Sequence, residues 1–126
     1  MRLTATRTAT FDAAHFLPAH PGKCARMHGH TYKVEVTVVR GDNQWCDPDT
    51  GMVLDFGDLA RVLDETLKEF DHGILNDHIG LPTAEVLAAT LVTRIAPELP
   101  KGILLDRVRV WETPESFVEV DCAPRQ

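Results

Sequence analysis

The stretch His28-Gly29-His30-Thr31-Tyr32-Lys33-Val34-Glu35-Val36-Thr37-Val38 carries the clearest structural pattern in the chain. Every second position is apolar, aromatic or imidazole, and the positions between them are mostly polar. Alternation with a period of two predicts a β-strand that packs one face against a core. His28 and His30 extend the buried row, and a buried histidine needs partners for its ring nitrogens.

Three more strands are predicted around this one. Threonines alternate with apolar residues over positions 3–14, which predicts a preceding strand that ends at His15. Two further strands, over positions 105–112 and 117–122, are predicted to close the chain. A turn-forming stretch at positions 113–116 joins them.

Two helices are predicted between the strand pairs. Asp55 and Thr83 are N-cap candidates, and each precedes apolar residues at helical spacing. The first helix is expected to end near residues 71–73, and Pro97 and Pro100 stop the second. The order ββααββ predicts an α+β fold, with a four-stranded antiparallel sheet and two helices on one face.

Length and composition narrow the class of protein. The 126 residues predict a single domain over positions 1–126, and 44% hydrophobic residues with 25% charged residues are typical of globular proteins. The sequence has neither an apolar run of the roughly 20 residues that a membrane span needs nor a signal-peptide pattern. Three cysteines are too few for a disulfide framework, so we expect a cytoplasmic protein. A net charge of −6 without a basic stripe argues against a nucleic-acid partner.

Three histidines form a candidate metal site. His28 and His30 project from the same side of the predicted strand, since side chains at i and i+2 point alike. His15 supplies a third imidazole if the first two strands pair antiparallel. Three neutral imidazoles leave one zinc position open for water or substrate, which is typical of a catalytic zinc site. We therefore predict a zinc enzyme in which these residues hold Zn²⁺.

Cys24 precedes the histidine pair and has Lys23 and Arg26 as close neighbours in sequence. These cations and a nearby metal would lower the pKa of its thiol. Its position leaves three roles open: zinc ligand, nucleophile or base. Lys23 and Arg26 also predict a local positive pocket for a small anionic substrate. Cys46 and Cys122 have no comparable neighbours and are predicted to be bystanders.

Two further positions suggest acid–base and recognition chemistry. Asp71 and His72 are adjacent, and an aspartate that orients an imidazole can form a proton relay. Glu112 ends the apolar row of the strand over positions 105–112, where a carboxylate is costly unless it is paired. A heterocycle with adjacent N–H donors, such as a pterin or guanine edge, would be a suitable partner. His20 and His78 lack a distinguishing context.

Several motifs occur together in the order seen in one enzyme family. They are Phe11-Asp12-Ala13-Ala14-His15, Cys24 with His28-Gly29-His30, Leu54-Asp55-Phe56, Asp71-His72 with Leu75-Asn76-Asp77, Pro82-Thr83-Ala84-Glu85, and Trp111-Glu112-Thr113-Pro114. Over nearly the whole chain they resemble the 6-pyruvoyltetrahydropterin synthase family. The three residues between Cys24 and His28 resemble its 6-carboxytetrahydropterin synthase branch, because the pyruvoyl enzymes have a longer interval. A branch that makes hydroxymethyl pterins has glutamate in place of this cysteine.

The resemblance implies a fold, an assembly and roles. It implies the tunnelling fold (T-fold), in which subunits join their sheets into barrels as a homo-hexamer of two trimers, with the active site at a subunit interface. Cys24 matches the catalytic thiol, with Asp71 and His72 as the proton relay beside it. Glu112 matches the acid that anchors the pterin. Thr83 and Glu85 match a motif that lines the substrate pocket.

The resemblance also implies an activity, that of a lyase. Zinc-dependent conversion of 7,8-dihydroneopterin triphosphate would give 6-carboxy-5,6,7,8-tetrahydropterin, acetaldehyde and triphosphate, with Lys23 and Arg26 as candidate triphosphate contacts. The product would serve queuosine or another 7-deazapurine pathway. Alternatives are a pyruvoyltetrahydropterin synthase, or a non-catalytic module that binds pterin or metal. The complete set of Cys24, Asp71 and His72 disfavours the non-catalytic module, which has no use for a thiol base and a relay.

Overall fold

The first two strands form the antiparallel pair that the sequence predicts. In the computed structural model, which describes residues 1–123, β1 (Thr4–His15) pairs with β2 (His28–Arg40). The register sets Phe11 opposite Tyr32, Ala13 opposite His30 and His15 opposite His28. Alternation along both strands therefore brings all three histidines to the same face at the same end of the pair.

Two helices follow, each opened by a predicted capping residue. The Asp55 carboxylate accepts from the Gly57 N–H at 2.7 Å ahead of α1 (Phe56–Leu67), and the Thr83 hydroxyl accepts from the Val86 N–H at 3.1 Å ahead of α2 (Ala84–Ile95). The first helix ends at Leu67, earlier than predicted. Residues 70 and 71 donate their N–H groups to the Leu67 carbonyl, so the chain leaves the helix in tight turns.

The sheet contains one more strand than predicted. After α1, β3 (Gly73–Ile74) pairs in parallel with Ala13 and Ala14 of β1. The prediction of a four-stranded antiparallel sheet is therefore wrong at one edge. The sheet has five strands and is mixed, because β3 pairs in parallel with β1. A strand of two residues is too short to show any alternation, so sequence periodicity does not detect it.

The last two strands complete the sheet on the other side. They are β4 (Ile103–Thr113) and β5 (Ser116–Asp121), and the spatial order is β3-β1-β2-β4-β5. Both helices pack on one face, where their buried leucines share a core with the inward row of the strands. This core includes Phe11, Tyr32, Val34, Val36, Val38, Leu59, Leu63, Leu87, Leu91, Val108 and Val110. Within residues 1–123, no helix has the length and apolar character to cross a membrane.

Candidate metal centre and active site

The three predicted ligands converge where β1 and β2 meet. One ring nitrogen from each of His15, His28 and His30 lies within 4.8 Å of the other two, and we call these residues the histidine cluster. His15 is 0% exposed, whereas His28 and His30 are half-buried. The antiparallel register therefore assembles the group that the sequence predicted.

Backbone carbonyls determine the tautomers of two of these histidines. His15 Nδ1 lies 2.7 Å from the Pro82 carbonyl oxygen, and His28 Nδ1 lies 2.7 Å from that of Arg26. A carbonyl oxygen can only accept, so each Nδ1 carries the proton and each Nε2 presents a lone pair. A second-sphere hydrogen bond of this kind orients an imidazole for metal binding through its other nitrogen.

The free lone pairs of the cluster fit a zinc ion. The Nε2 atoms of His15 and His28 are 3.0 Å apart, although with these tautomers neither has a proton to donate to the other. A cation between them removes the repulsion, and tetrahedral zinc with bonds of 2.0–2.1 Å places two nitrogens about 3.3 Å apart. Within residues 1–123, His30 Nε2 is buried and has no hydrogen-bond partner. The donor set therefore suits a metal.

Glu112 of β4 and Tyr32 of β2 lie beside the histidine cluster, on the face of the sheet that is turned toward the core. The Glu112 carboxylate is 3.7 Å from His30 Nε2, beyond hydrogen-bond distance. Burial lowers the pKa of His30 below its usual 6.5, and the Glu112 charge offsets part of this effect. Burial, aided by the same charge, raises the pKa of Tyr32, whose hydroxyl is 3.3 Å from His15 Nδ1. These directions favour a neutral imidazole at His30 and a neutral phenol at Tyr32, and neutral imidazole is the form that binds zinc.

A cavity opens next to His30 and Glu112. Its volume is about 580 Å³, within the range of small-molecule sites, and its walls include Thr31, Lys33 and Trp111. A groove of about 610 Å³ lies between α1 and α2, but none of the predicted site residues lines it. The cavity beside His30 and Glu112 is therefore the candidate substrate site, because it adjoins the histidine cluster.

Cys24 lies in the loop that leads into β2. It is half-buried in a short 3₁₀ turn, Lys23–Ala25, and its carbonyl accepts from the Leu17 N–H at 2.8 Å. Within the described residues, its thiol does not belong to the group of potential ligands formed by the histidine cluster. Lys23 and Arg26 are exposed on the same loop. The role of Cys24 as the catalytic base stays a prediction.

Asp71 and His72 form a separate group with Asp12, which we call the exposed cluster. Asp71 Oδ1 lies 3.0 Å from His72 Nδ1 and accepts from the Asp12 N–H at 3.0 Å. These hydrogen bonds, first that of the Asp12 N–H and then that of His72, hold the pKa of Asp71 below its usual 3.8. An ionised Asp71 orients the imidazole through Nδ1, as a proton relay requires.

The backbone of His72 is strained. Its φ is 60°, in the left-handed region that costs a non-glycine residue about 1 kcal/mol or more. A hydrogen bond of 2.6 Å from the His72 N–H to the Asp12 carbonyl holds the residue in place. Strain of this kind persists where the surroundings determine the conformation, often at functional sites.

The two clusters lie on opposite faces of the β1–β2 pair. Asp12 is opposite Thr31 in the register, and the Thr31 hydroxyl donates to the Asp12 carboxylate. Side chains alternate between the two faces along a strand, so Asp12 and Thr31 point to the face opposite that of the histidines. The described residues show no hydrogen bond or ion pair from Asp71 or His72 to Cys24 or to the histidine cluster. Within residues 1–123 the predicted relay is therefore not hydrogen-bonded to the predicted thiol, although Asp12, His30 and His72 line one open cavity of about 570 Å³.

The remaining predicted pocket residues lie at the start of α2. The Thr83 hydroxyl is engaged as the helix cap, and Glu85 is exposed in the first turn. Glu85 and Glu112 line a small cavity of about 210 Å³ with Phe117. This position is compatible with a pocket role for Glu85, which stays a prediction.

Comparison with known proteins identifies the family. The family model described as 6-pyruvoyl tetrahydropterin synthase matches residues 4–123. The chain belongs to this family. A solved structure of 6-pyruvoyl tetrahydropterin synthase from Caenorhabditis elegans superposes with a TM-score of 0.82 at 24% identity, covering 98% of this chain and 99% of that one. The predicted T-fold is thus confirmed at the level of its overall α+β architecture.

The names of relatives in this family specify more than one activity. A 6-carboxy-5,6,7,8-tetrahydropterin synthase from Synechocystis is 41% identical over 107 residues, covering 82% of this chain and 81% of its own. A dihydroneopterin monophosphate aldolase from Pyrococcus furiosus is 38% identical over 113 residues, covering 90% and 92%. Other relatives with 31–33% identity carry the carboxy name. The prediction of an enzyme of this family is confirmed.

Some groups around the site were not singled out from sequence. Tyr32 stands in the same alternating row as His28 and His30, so the row itself was a signal for it. The Pro82 carbonyl, which determines the His15 tautomer, comes from a residue 67 positions away. Sequence spacing carries no signal for a backbone contact of this kind.

Proposed function

We propose that this chain is a zinc-dependent 6-carboxytetrahydropterin synthase. It converts 7,8-dihydroneopterin triphosphate and one molecule of water to 6-carboxy-5,6,7,8-tetrahydropterin, acetaldehyde and triphosphate. The observation that carries the proposal is the histidine cluster, with two tautomers set for metal binding and its lone pairs directed at one another. The carboxy names of several relatives support the choice of branch.

The chain supplies each part of this chemistry from a separate element. His15, His28 and His30 would hold the zinc ion, which would supply Lewis-acid chemistry toward the hydroxyls of the substrate side chain. Glu112 accepts hydrogen bonds from the N–H edge of the pterin within the cavity of about 580 Å³. The Cys24 thiolate removes a proton from the side-chain carbon.

The proton relay is completed at a subunit interface. Asp71 and His72 are exposed and lie on the face of the β1–β2 pair opposite the histidine cluster. This separation supports an assembly in which the exposed cluster of one copy faces Cys24 of another. The homo-hexamer of two trimers expected for a T-fold provides such interfaces. His72 then exchanges protons at Nε2 while Asp71 holds Nδ1.

Other parts of the proposal follow from the family. The product supplies queuosine or another 7-deazapurine pathway in the cytoplasm. Lys23 and Arg26, exposed beside Cys24, contact the triphosphate. Thr83 and Glu85 border the pterin end of the pocket near Glu112.

A product assay tests the proposal. Zinc-loaded protein is incubated with 7,8-dihydroneopterin triphosphate, and the pterin, acetaldehyde and triphosphate are quantified by mass spectrometry and enzymatic coupling. We expect one acetaldehyde and one triphosphate per carboxypterin. Triphosphate release with a pyruvoyl pterin would assign the chain to the pyruvoyl branch instead, and the absence of any turnover would favour a binding module.

The relative named as an aldolase supports a second candidate. At 38% identity, the Pyrococcus furiosus protein is as similar as several carboxy relatives, and its name specifies a monophosphate substrate. The same assay with dihydroneopterin monophosphate separates the two activities. Carbon–carbon cleavage of the monophosphate, without reaction of the triphosphate, would assign the chain to the aldolase activity.

A further inference from the structure

The segment after α1 runs back alongside the end of β1. Strand β3 pairs with Ala13 and Ala14, and the parallel ladder then stops because Leu75–Asp77 turn into a 3₁₀ helix. The pairing of β1 with β2 ends at His15. Phe16, the next residue, therefore lies beyond both ladders, where its backbone N–H and carbonyl need partners.

The side chain of Asn76 supplies both partners. Its Oδ1 accepts from the Phe16 N–H at 3.0 Å, and its Nδ2 donates to the Phe16 carbonyl at 2.9 Å. The side-chain amide of Asn76 therefore makes the two hydrogen bonds to Phe16 that the backbone of a neighbouring strand would otherwise make. Among the short polar side chains only asparagine combines an acceptor and a donor in this planar arrangement.

This contact acts on a metal ligand. His15 directly precedes Phe16, and its Nδ1 is bound by the carbonyl of Pro82 from the same segment, six residues after Asn76. Both the backbone after His15 and its imidazole are therefore held by residues 76–82. His28 and His30 instead belong to β2, and within residues 1–123 the side-chain hydrogen bonds of Asn76 are made to Phe16 alone.

We propose that Asn76 is a positioning residue that places His15 for metal binding. The inference rests on the proposed zinc site. Leu75, next to Asn76, is 0% exposed and anchors the turn in the core, so truncation of Asn76 removes the amide while the turn keeps its anchor. Loss of a partner that orients a zinc ligand typically costs 10–100-fold in metal affinity.

The experiment compares Asn76→Ala and Asn76→Asp with the unaltered protein. Asn76→Asp keeps the size and the acceptor for the Phe16 N–H but loses the donor to its carbonyl. Gln44→Ala, which removes an exposed amide from the loop after β2, is the matched control. Zinc affinity is measured by competition with a chromophoric chelator, ligand geometry by the absorption bands of the cobalt-substituted protein, and folding by circular dichroism and thermal unfolding.

We expect zinc affinity to fall about tenfold or more in Asn76→Ala and by a smaller factor in Asn76→Asp. The cobalt bands should shift in both variants, while Gln44→Ala should match the unaltered protein. If Asn76→Ala does not fold, Asn76→Asp carries the same test. Unchanged affinity and cobalt bands in a folded Asn76 variant would overturn the inference alone. Failure of the unaltered protein to bind zinc would overturn the proposed metal site, and this inference with it.

Discussion

The histidine cluster and the exposed cluster take His15 and Asp12 from the same end of β1, yet their environments are opposite. In the first, His15 is 0% exposed, and carbonyl oxygens bind the Nδ1 atoms of His15 and His28. In the second, the His72 side chain is 79% exposed and its backbone is strained. A group preorganised by burial can bind a small ion by itself. A group held at an open edge is suited to act on something that another molecule brings to it.

The largest effect is expected from breaking the histidine cluster. His28→Ala removes a ligand whose Nε2 lies 3.0 Å from that of His15. We expect zinc affinity to fall by more than the roughly 100-fold typical of an outer-sphere partner, and turnover to fall with it. Metal analysis after dialysis measures the effect. His20→Ala, at an exposed histidine, is the control and should retain stoichiometric zinc.

A comparable loss of turnover, without loss of metal, is expected when either of the proposed acid–base residues Cys24 and His72 is replaced. Cys24→Ala and His72→Ala should each lower kcat by about 10²–10⁴-fold, the usual contribution of a general acid or base, with zinc retained. Zinc content and steady-state kinetics measure both quantities. Loss of zinc from Cys24→Ala would make the thiol a ligand and would contradict its role as base.

Mixing these two variants tests whether the clusters of different subunits cooperate. If the exposed cluster of one copy completes the site of another, co-refolded Cys24→Ala and His72→Ala chains should recover part of the activity that each lacks alone. Sites with both residues intact form only at interfaces between unlike chains. Recovery no greater than the sum of the separate variants would argue for a site contained within one chain.

A smaller effect is expected from Glu112, which borders the histidine cluster. Glu112→Gln removes the charge that accepts from the pterin, and hydrogen bonds to charged groups contribute about 1.5–3 kcal/mol. We therefore expect KM to rise by about 10–100-fold with zinc content unchanged. Steady-state kinetics and metal analysis provide the measurement, and an unchanged KM would remove the anchoring role.

The smallest effect is a pH dependence of the metal-free protein. Burial lowers the pKa of His30 in the folded state below 6.5, so the unfolded state binds more protons at this residue. Its contribution to the free energy of unfolding is present above pH 6.5 and is lost as the pH falls toward the folded-state pKa. Thermal unfolding of the apoprotein from pH 8 to pH 5 measures it. His30→Gln should show a shallower decline, and an identical profile would contradict the shift.

The sequence alone determined four of the five strands, the starts of the two helices, the three histidines of the histidine cluster, and Asp71 and His72 of the exposed cluster. Apolar residues that recur with a period of two or of 3.6 mark the buried face of a strand or of a helix. The alternating residues over positions 28–38 include two of the three proposed metal ligands. N-cap chemistry is also local, which is why Asp55 and Thr83 occupy the predicted positions. Family resemblance then supplied roles that spacing left open, above all that of Cys24.

The tertiary structure decided how these residues are arranged. The register of β1 against β2 sends Asp12 and the histidines to opposite faces, and the two-residue strand β3 brings Asp71 and His72 to the exposed side. It also brings Asn76 and the Pro82 carbonyl to the end of β1. These contacts join residues about 60 positions apart through backbone groups, which every residue possesses. No residue pattern can mark them in advance, so only the folded chain reveals them.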